Sequence, residues 1–148
     1  MNEELLMKKE LDDLLCERYP ALFSERHMSI EESAMAWGLT CGDGWFDLID
    51  AFCAEVQHAV QHGHMPPVVL KQVKEKFGSL RIRYRGGDDV TEGLVRMATA
   101  MSERLCEICG HPGETGRRPR DQMPVMTRCC EHMKPGYGAD DATALPPA

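Results

Sequence analysis

Residues 68–87 read VVLKQVKEKFGSLRIRYRGG, and their spacing decides the fold class. Leu80, Ile82 and Tyr84 alternate with Arg81, Arg83 and Arg85, so one set turns toward a core while the other presents a row of guanidinium groups. Pro66-Pro67 enforce an extended turn before the β-branched run Val68-Val69-Leu70. Val73 to Tyr84 then fold back around Gly78-Ser79, and Gly86-Gly87 end the pattern. The reading is a β-hairpin.

Outward from the hairpin the apolar period changes from two to about 3.6 residues. On the N-terminal side, Trp45, Leu48, Ile49, Phe52, Val56, Ala59 and Val60 form one face of a helix that opens at Cys41-Gly42-Asp43-Gly44-Trp45, with Asp43 as the expected cap. Gly63 is its expected C-terminal stop, with His58, His62 and His64 nearby. An earlier amphipathic helix is expected from Glu3 to about Arg18, carrying Met7, Leu11, Leu14 and Leu15 inward and Lys8, Lys9, Asp12 and Asp13 elsewhere; Tyr19-Pro20 end it. Between the two, Ser29 and Glu32 have the spacing of a capping box for a short helix toward Trp37. Beyond the hairpin, Asp88 or Asp89 starts a third helix with Leu94, Met97, Ala98, Met101 and Leu105 on its apolar face. These elements predict an α+β fold: amphipathic helices packed on a small antiparallel hairpin, followed by a C-terminal zinc knuckle of zinc-ribbon or treble-clef type. The expected organisation is a body over 1–105, a zinc-binding module over 106–133 packed on it, and a flexible Gly-, Pro- and Ala-rich tail over 134–148.

The knuckle is read from Cys106-Glu107-Ile108-Cys109-Gly110 and, after 19 intervening residues, Cys129-Cys130-Glu131-His132. Cys106, Cys109, Cys129 and His132 give C-x2-C-x19-C-x2-H, the donor set of a tetrahedral Cys3His site. Cys130 is the alternative third sulfur. A closed shell leaves no position for water, so the expected cofactor is one structural Zn2+. A redox C-x-x-C would need a βαβ pattern around it, and none is visible.

At 148 residues, with 43% hydrophobic and 28% charged side chains, the chain fits one globular domain rather than a disordered, collagen-like or coiled-coil protein. No apolar run approaches the ~18 residues of a membrane span, and the N-terminus MNEELLMKKELDD is acidic and amphipathic, so no membrane partner and no secretory leader are expected. Seven cysteines without such a leader suggest reduced thiols in a cytoplasm. The net charge of −7 is segregated. Residues 1–67 hold 4 basic against 13 acidic side chains, whereas residues 68–85 hold Lys71, Lys74, Lys76, Arg81, Arg83 and Arg85 against Glu75 alone. Lys74, Lys76, Arg81, Arg83 and Arg85, together with Arg117, Arg118 and Arg120 between the two metal-ligand pairs, are therefore the candidate contacts for an acidic partner or a phosphate backbone.

Other candidates are weaker. Glu55, His58 and His62 share a helix face but lack a metalloprotease spacing. Cys41 and Cys53 have no base at a recognisable spacing and read as core, as does Trp45, while Trp37 is undecided. No phosphate loop, nucleophile elbow or paired-carboxylate motif is present, so no catalytic residue is expected and the chain does not read as an enzyme.

Three blocks taken together, Cys41-Gly42-Asp43-Gly44-Trp45 with Leu48-Ile49, Val73-Lys74-Glu75-Lys76-Phe77-Gly78-Ser79-Leu80-Arg81, and Cys106 to Gly113 with Thr127 to His132, resemble the small uncharacterised proteins of tailed bacteriophages and bacterial prophages. The resemblance spans about residues 40–133. Its last block, C-x-x-C-G-x-P-G followed by T-x-C-x-x-H, places the third sulfur at Cys129. The chain departs from the pattern at Gly116-Arg117-Arg118-Pro119-Arg120-Asp121, where an aromatic and glycine-rich stretch is usual. The resemblance implies a phage or prophage origin and a bacterial cytoplasm, with no mechanism attached. The expected role is a non-enzymatic interaction or regulatory protein acting on a host protein; the alternative is a nucleic-acid-binding zinc protein. The oligomeric state is not legible.

Overall fold

The computed structural model describes residues 5–116 and 125–133. Two expectations, the contact role of Arg117, Arg118 and Arg120 and the tail over 134–148, lie outside the described residues. The element order is α1 (Lys9–Arg18), α2 (Phe46–His62), β1 (Val68–Lys76), β2 (Ser79–Gly86), α3 (Asp89–Ser102), β3 (Glu114–Gly116) and β4 (Met126–Arg128), with single 3-10 turns at Ala34–Trp37 and Asp43–Trp45. The strands form two separate two-stranded antiparallel sheets, β1 with β2 and β3 with β4. The architecture is α+β.

The β1–β2 hairpin forms as its alternation predicts, with Leu80 and Ile82 buried, Tyr84 half-buried, and Arg81, Arg83 and Arg85 exposed. Its turn is centred on Phe77-Gly78 rather than Gly78-Ser79, because Ser79 already pairs with Lys76. Both turn residues have positive φ, 54° and 79°, the mirror-image geometry that matches the twist of two antiparallel strands. On β1 the register slips between Leu70 and Gln72. That extra residue lets Val68 and Leu70 bury on the same side as Val73, which strict alternation would have turned outward. The outer edge of β1 is covered: Leu22 O accepts from Leu70 N–H at 2.9 Å, and Thr40 bonds Val73 O and Glu75 N–H at 3.1 and 2.9 Å.

Helix α2 places Ile49, Phe52, Cys53 and Val56 in the core beside Trp45, as its period predicts. Asp43 does not cap it. Its carboxylate instead accepts from Lys8 N–H at 2.9 Å and fixes the start of α1 from 35 residues away. Accordingly α1 begins at Lys9, not Glu3, and Met7 reaches the core from extended chain whose N–H bonds Leu39 O at 3.0 Å. Asp12, expected on the solvent face, is buried because Arg26 grips both its oxygens at 2.9–3.1 Å. The turn before Trp37 is capped by Ser33, whose Oγ accepts from Met35 N–H at 3.2 Å; Ser29 receives only the Glu32 half of the expected box. Trp37 itself is 61% exposed.

Helix α3 is capped by Asp88 with Thr91 completing a reciprocal box. It approaches β2 through small residues. Ser102 Oγ accepts from Leu80 N–H at 2.9 Å and Thr99 Oγ1 donates to Leu80 O at 3.1 Å, while Thr91 and Ala98 are buried. That close approach rotates Met97 and Met101, both expected in the core, out to solvent.

Candidate metal centre

The chain leaves α3 after Ser102 and bends through Cys106–Gly110, where Gly110 adopts φ 78° so that the backbone can turn beneath the two sulfurs. Cys106 N–H donates to His111 O at 2.7 Å and Gly110 N–H to Cys106 O at 2.8 Å, closing the knuckle. The short β3–β4 sheet then delivers Cys129, and a turn held by Met133 N–H on Cys129 O brings His132 back beside it. Cys106, Cys109, Cys129 and His132 converge with all four donor atoms within 4.8 Å of one another. His132 Nδ1 lies 3.3 Å from Cys106 Sγ and 3.2 Å from Cys129 Sγ, and Cys109 Sγ lies 3.7 Å from Cys129 Sγ.

The sulfur–sulfur edge matches that of a single tetrahedral ion, and the two sulfur–nitrogen edges are about 0.3 Å shorter than an ion would set them. Sulfur at ~2.3 Å and nitrogen at ~2.1 Å from a tetrahedral centre stand about 3.5–3.8 Å apart. Between Cys129 and Cys130, the geometry brings Cys129 into the cluster and leaves Cys130 exposed outside it. The four residues can therefore hold a metal ion.

The surrounding groups favour anionic sulfur at Cys129 and neutral imidazole at His132, but not anionic sulfur at Cys109. Burial raises Cys129, but the amides of His132 and Glu131 and the neighbouring Cys109 and Cys106 bring it below the ordinary thiol range. Cys109 is pushed up to about 11 by burial and by the Cys106 and Cys129 sulfurs, against the His111 amide that points at it. A cation among the sulfurs would remove that mutual repulsion. Burial and the Arg128 charge lower His132, which favours the neutral imidazole, the form that ligates a metal. His111 Nδ1 sits 3.2 Å from Cys109 Sγ at the exposed side of the cluster.

The sequence motif C-G-D-G-W acquires its reason here. A Cβ on Gly42 would stand 2.3 Å from Glu107 O, and one on Gly44 would stand 2.2 Å from Cys106 O. The knuckle backbone lies directly on these two glycines, with Gly44 N–H donating to Glu107 O at 2.8 Å. Trp45 Nε1 donates to Leu105 O at 2.9 Å in the same contact. Glu107, which the sequence reading passed over as a spacer, buries its carboxyl to accept from Gly42 N–H at 2.9 Å; burial raises it to about 7 against that hydrogen bond. Its position between two candidate ligand cysteines was the only available signal. On the other side, Thr127 is fully buried and donates to Gly78 O, tying the β3–β4 sheet to the turn of the β1–β2 hairpin.

Other candidate residues are dispersed. Lys74 faces Arg81 across the hairpin, Gln72 faces Arg83, and Lys76 lies at the tip with its ammonium 5.7 Å from the exposed Phe77 ring. Arg85 is engaged by Glu25, which also pairs with Lys71 at 2.8 Å, so it belongs to the fold rather than to a free cationic row. His58 and His62 lie with ring centroids 4.9 Å apart and planes tilted by 48°, yet no third donor joins them among the described residues. Cys41 and Cys53 are fully buried, and burial raises both thiols strongly, as suits packing rather than nucleophilic chemistry. Among the described residues no helix is long and apolar enough to cross a membrane. Comparison with family models, with curated proteins and with solved structures found no match.

Proposed function

We propose that the protein is a non-enzymatic recognition protein, stapled by one structural zinc ion, whose hairpin face binds an acidic surface of a host protein in a bacterial cytoplasm. Zinc is the favoured ion because three thiolates and one imidazole suit it, and because four protein donors close its shell. A closed shell acts on the fold and not on a substrate.

The observation that carries the recognition role is the hairpin's charge. Lys74 and Arg81 stand directly opposite each other, an arrangement of like charges that weakens a strand pair. Among the described residues neither they nor Lys76 and Arg83 form an ion pair, although the chain as a whole is acidic. An unrelieved repulsion on an exposed face is relieved by an anionic partner, and guanidinium groups meet carboxylates bidentately. The phage or prophage resemblance makes a host component the natural partner class.

A second reading has one specific observation in its favour. Phe77 is 65% exposed at the hairpin tip beside Lys76, and an aromatic flanked by cations is also how single-stranded nucleic acid is held. Affinity purification from bacterial cells separates the two. The tagged wild type is expected to retain a stoichiometric protein after nuclease treatment, and Arg81→Glu/Arg83→Glu is expected to lose it. Retention that vanishes with nuclease and falls steeply with salt transfers the role to nucleic acid. Retention by the double variant equal to wild type removes this face from either role.

A further inference from the structure

Helix α3 faces the body with small residues and rests Leu94 and Val95 on the core, and it carries further apolar side chains that the described fold leaves exposed. Thr91, Ala98 and Ser102 are buried. Val90, Met97 and Met101 are 58%, 62% and 39% exposed and fall at i, i+7 and i+11, with Leu94 between them at i+4, half-buried and partly packed on the core. That spacing draws a continuous stripe along one side of the helix rather than a scatter of single exposed residues.

Gly93 lies on the edge of this stripe. It sits inside the helix without a positive φ, and a Cβ placed on it meets nothing within 4 Å. Neither its conformation nor a described neighbour asks for glycine, which weakens a helix relative to alanine. Close approach of a second backbone is what a glycine at such a place permits.

Charge selects the occupant. Asp88, Asp89 and Glu92 crowd the N-terminal end of α3, whereas Arg96 lies at its middle and Arg104 just past its C-terminal end. Glu103, at that same end, is turned onto Ser79 Oγ at 3.1 Å. A second α3 running antiparallel sets acid against base at both ends at once.

We propose that α3 is a self-association surface, on which two copies of this chain pack their α3 helices antiparallel, with Val90, Leu94, Met97 and Met101 interleaving beside the hollow at Gly93. The zinc and hairpin readings do not enter this step. A helix from an unrelated protein, or the chain's own residues 134–148, would leave the free protein monomeric.

Sedimentation velocity on the full-length, metal-loaded chain over a wide concentration range is the test. The mass is expected to move from 16.6 kDa toward twice that value as concentration rises. Met97→Glu should hold it at the monomer with an unchanged circular dichroism spectrum. Asp89→Arg and Arg104→Asp should each weaken association, and the two together should restore it. Gly93→Ala should weaken association while raising the melting temperature of dilute protein, two effects of opposite sign that a purely structural glycine would not produce. A wild type that remains monomeric, a dimer indifferent to Met97→Glu, or a dimer whose strength ignores the charge reversals overturns the proposal.

Discussion

Glu25 is 3% exposed, yet its carboxylate is held by Lys71 and Arg85 from the hairpin. The Lys71 hydrogen bond, then that from Ser33, outweighs burial and, with Arg85, brings its pKa from 4.5 down to about 2. A carboxyl whose folded pKa is depressed contributes stability that is complete above its unfolded value and is lost as pH falls through the folded one. Stability from Glu25 is therefore expected to be full above about pH 4.5 and to disappear on acidification toward about pH 2. Glu25→Gln should cost roughly 2 kcal/mol at neutral pH, because charge-assisted hydrogen bonds are exchanged for neutral ones. Urea unfolding of both proteins between pH 7 and pH 2 checks this: the two curves should converge at low pH, and a constant gap would refute the linkage. At this scale the sequence was legible wherever period decides burial, as at Leu80, Ile82 and Arg83. It was not legible for Asp12, placed off the apolar face, nor for Glu25, which no period singles out, because their partners stand 14 and 46 residues away.

The hairpin was the most legible element because alternation, flanking prolines and terminal glycines all point the same way. Its turn was misplaced by one residue, since Gly78 marks where φ must be positive without revealing that Phe77 shares the strain. A bulky residue at φ 54° costs about 1–2 kcal/mol relative to a conformation it prefers. Asparagine accepts that geometry, and Asn-Gly is the favoured pair for this turn. Phe77→Asn is accordingly expected to raise the unfolding free energy by about 1 kcal/mol in denaturant titrations. The same substitution should weaken capture of the partner, since an exposed aromatic beside Lys76 would be lost. Stability and binding moving in opposite directions would identify the strain as retained for contact. Both moving down would show that Phe77 supports the hairpin instead. Helix α3 was legible as an element but not in its facing. Burial there is decided by how closely Thr91, Ala98 and Ser102 let it approach its neighbours, and a count of apolar positions favours the larger Met97 and Met101.

At the scale of the whole molecule the metal cluster joins parts that the sequence presents as separate blocks. Gly42 and Gly44 seat the knuckle on the start of α2, and Thr127 seats the β3–β4 sheet on the turn of the β1–β2 hairpin. Spacing made the four candidate ligands visible in the sequence, but it carries no information about what they rest on, so the role of the two glycines emerged only from backbone contacts. Because β3 and β4 are three residues each, little apolar burial holds them, and the ion should supply much of their order. Purified protein is expected to carry one zinc per chain by elemental analysis, and a strong chelator should lower its melting temperature. Cys109→Ser should lose the ion, whereas Cys130→Ser should keep it with an unaltered melt, because Cys130 lies outside the cluster. The consequence should reach the hairpin tip: slowed amide exchange at Gly78 and Ser79 is expected in the metal-loaded protein and fast exchange after chelation, with α2 unaffected. Exchange at α2 rising equally would mean that the ion supports the entire fold, and exchange at the tip staying slow would mean that the β3–β4 contact stands without it.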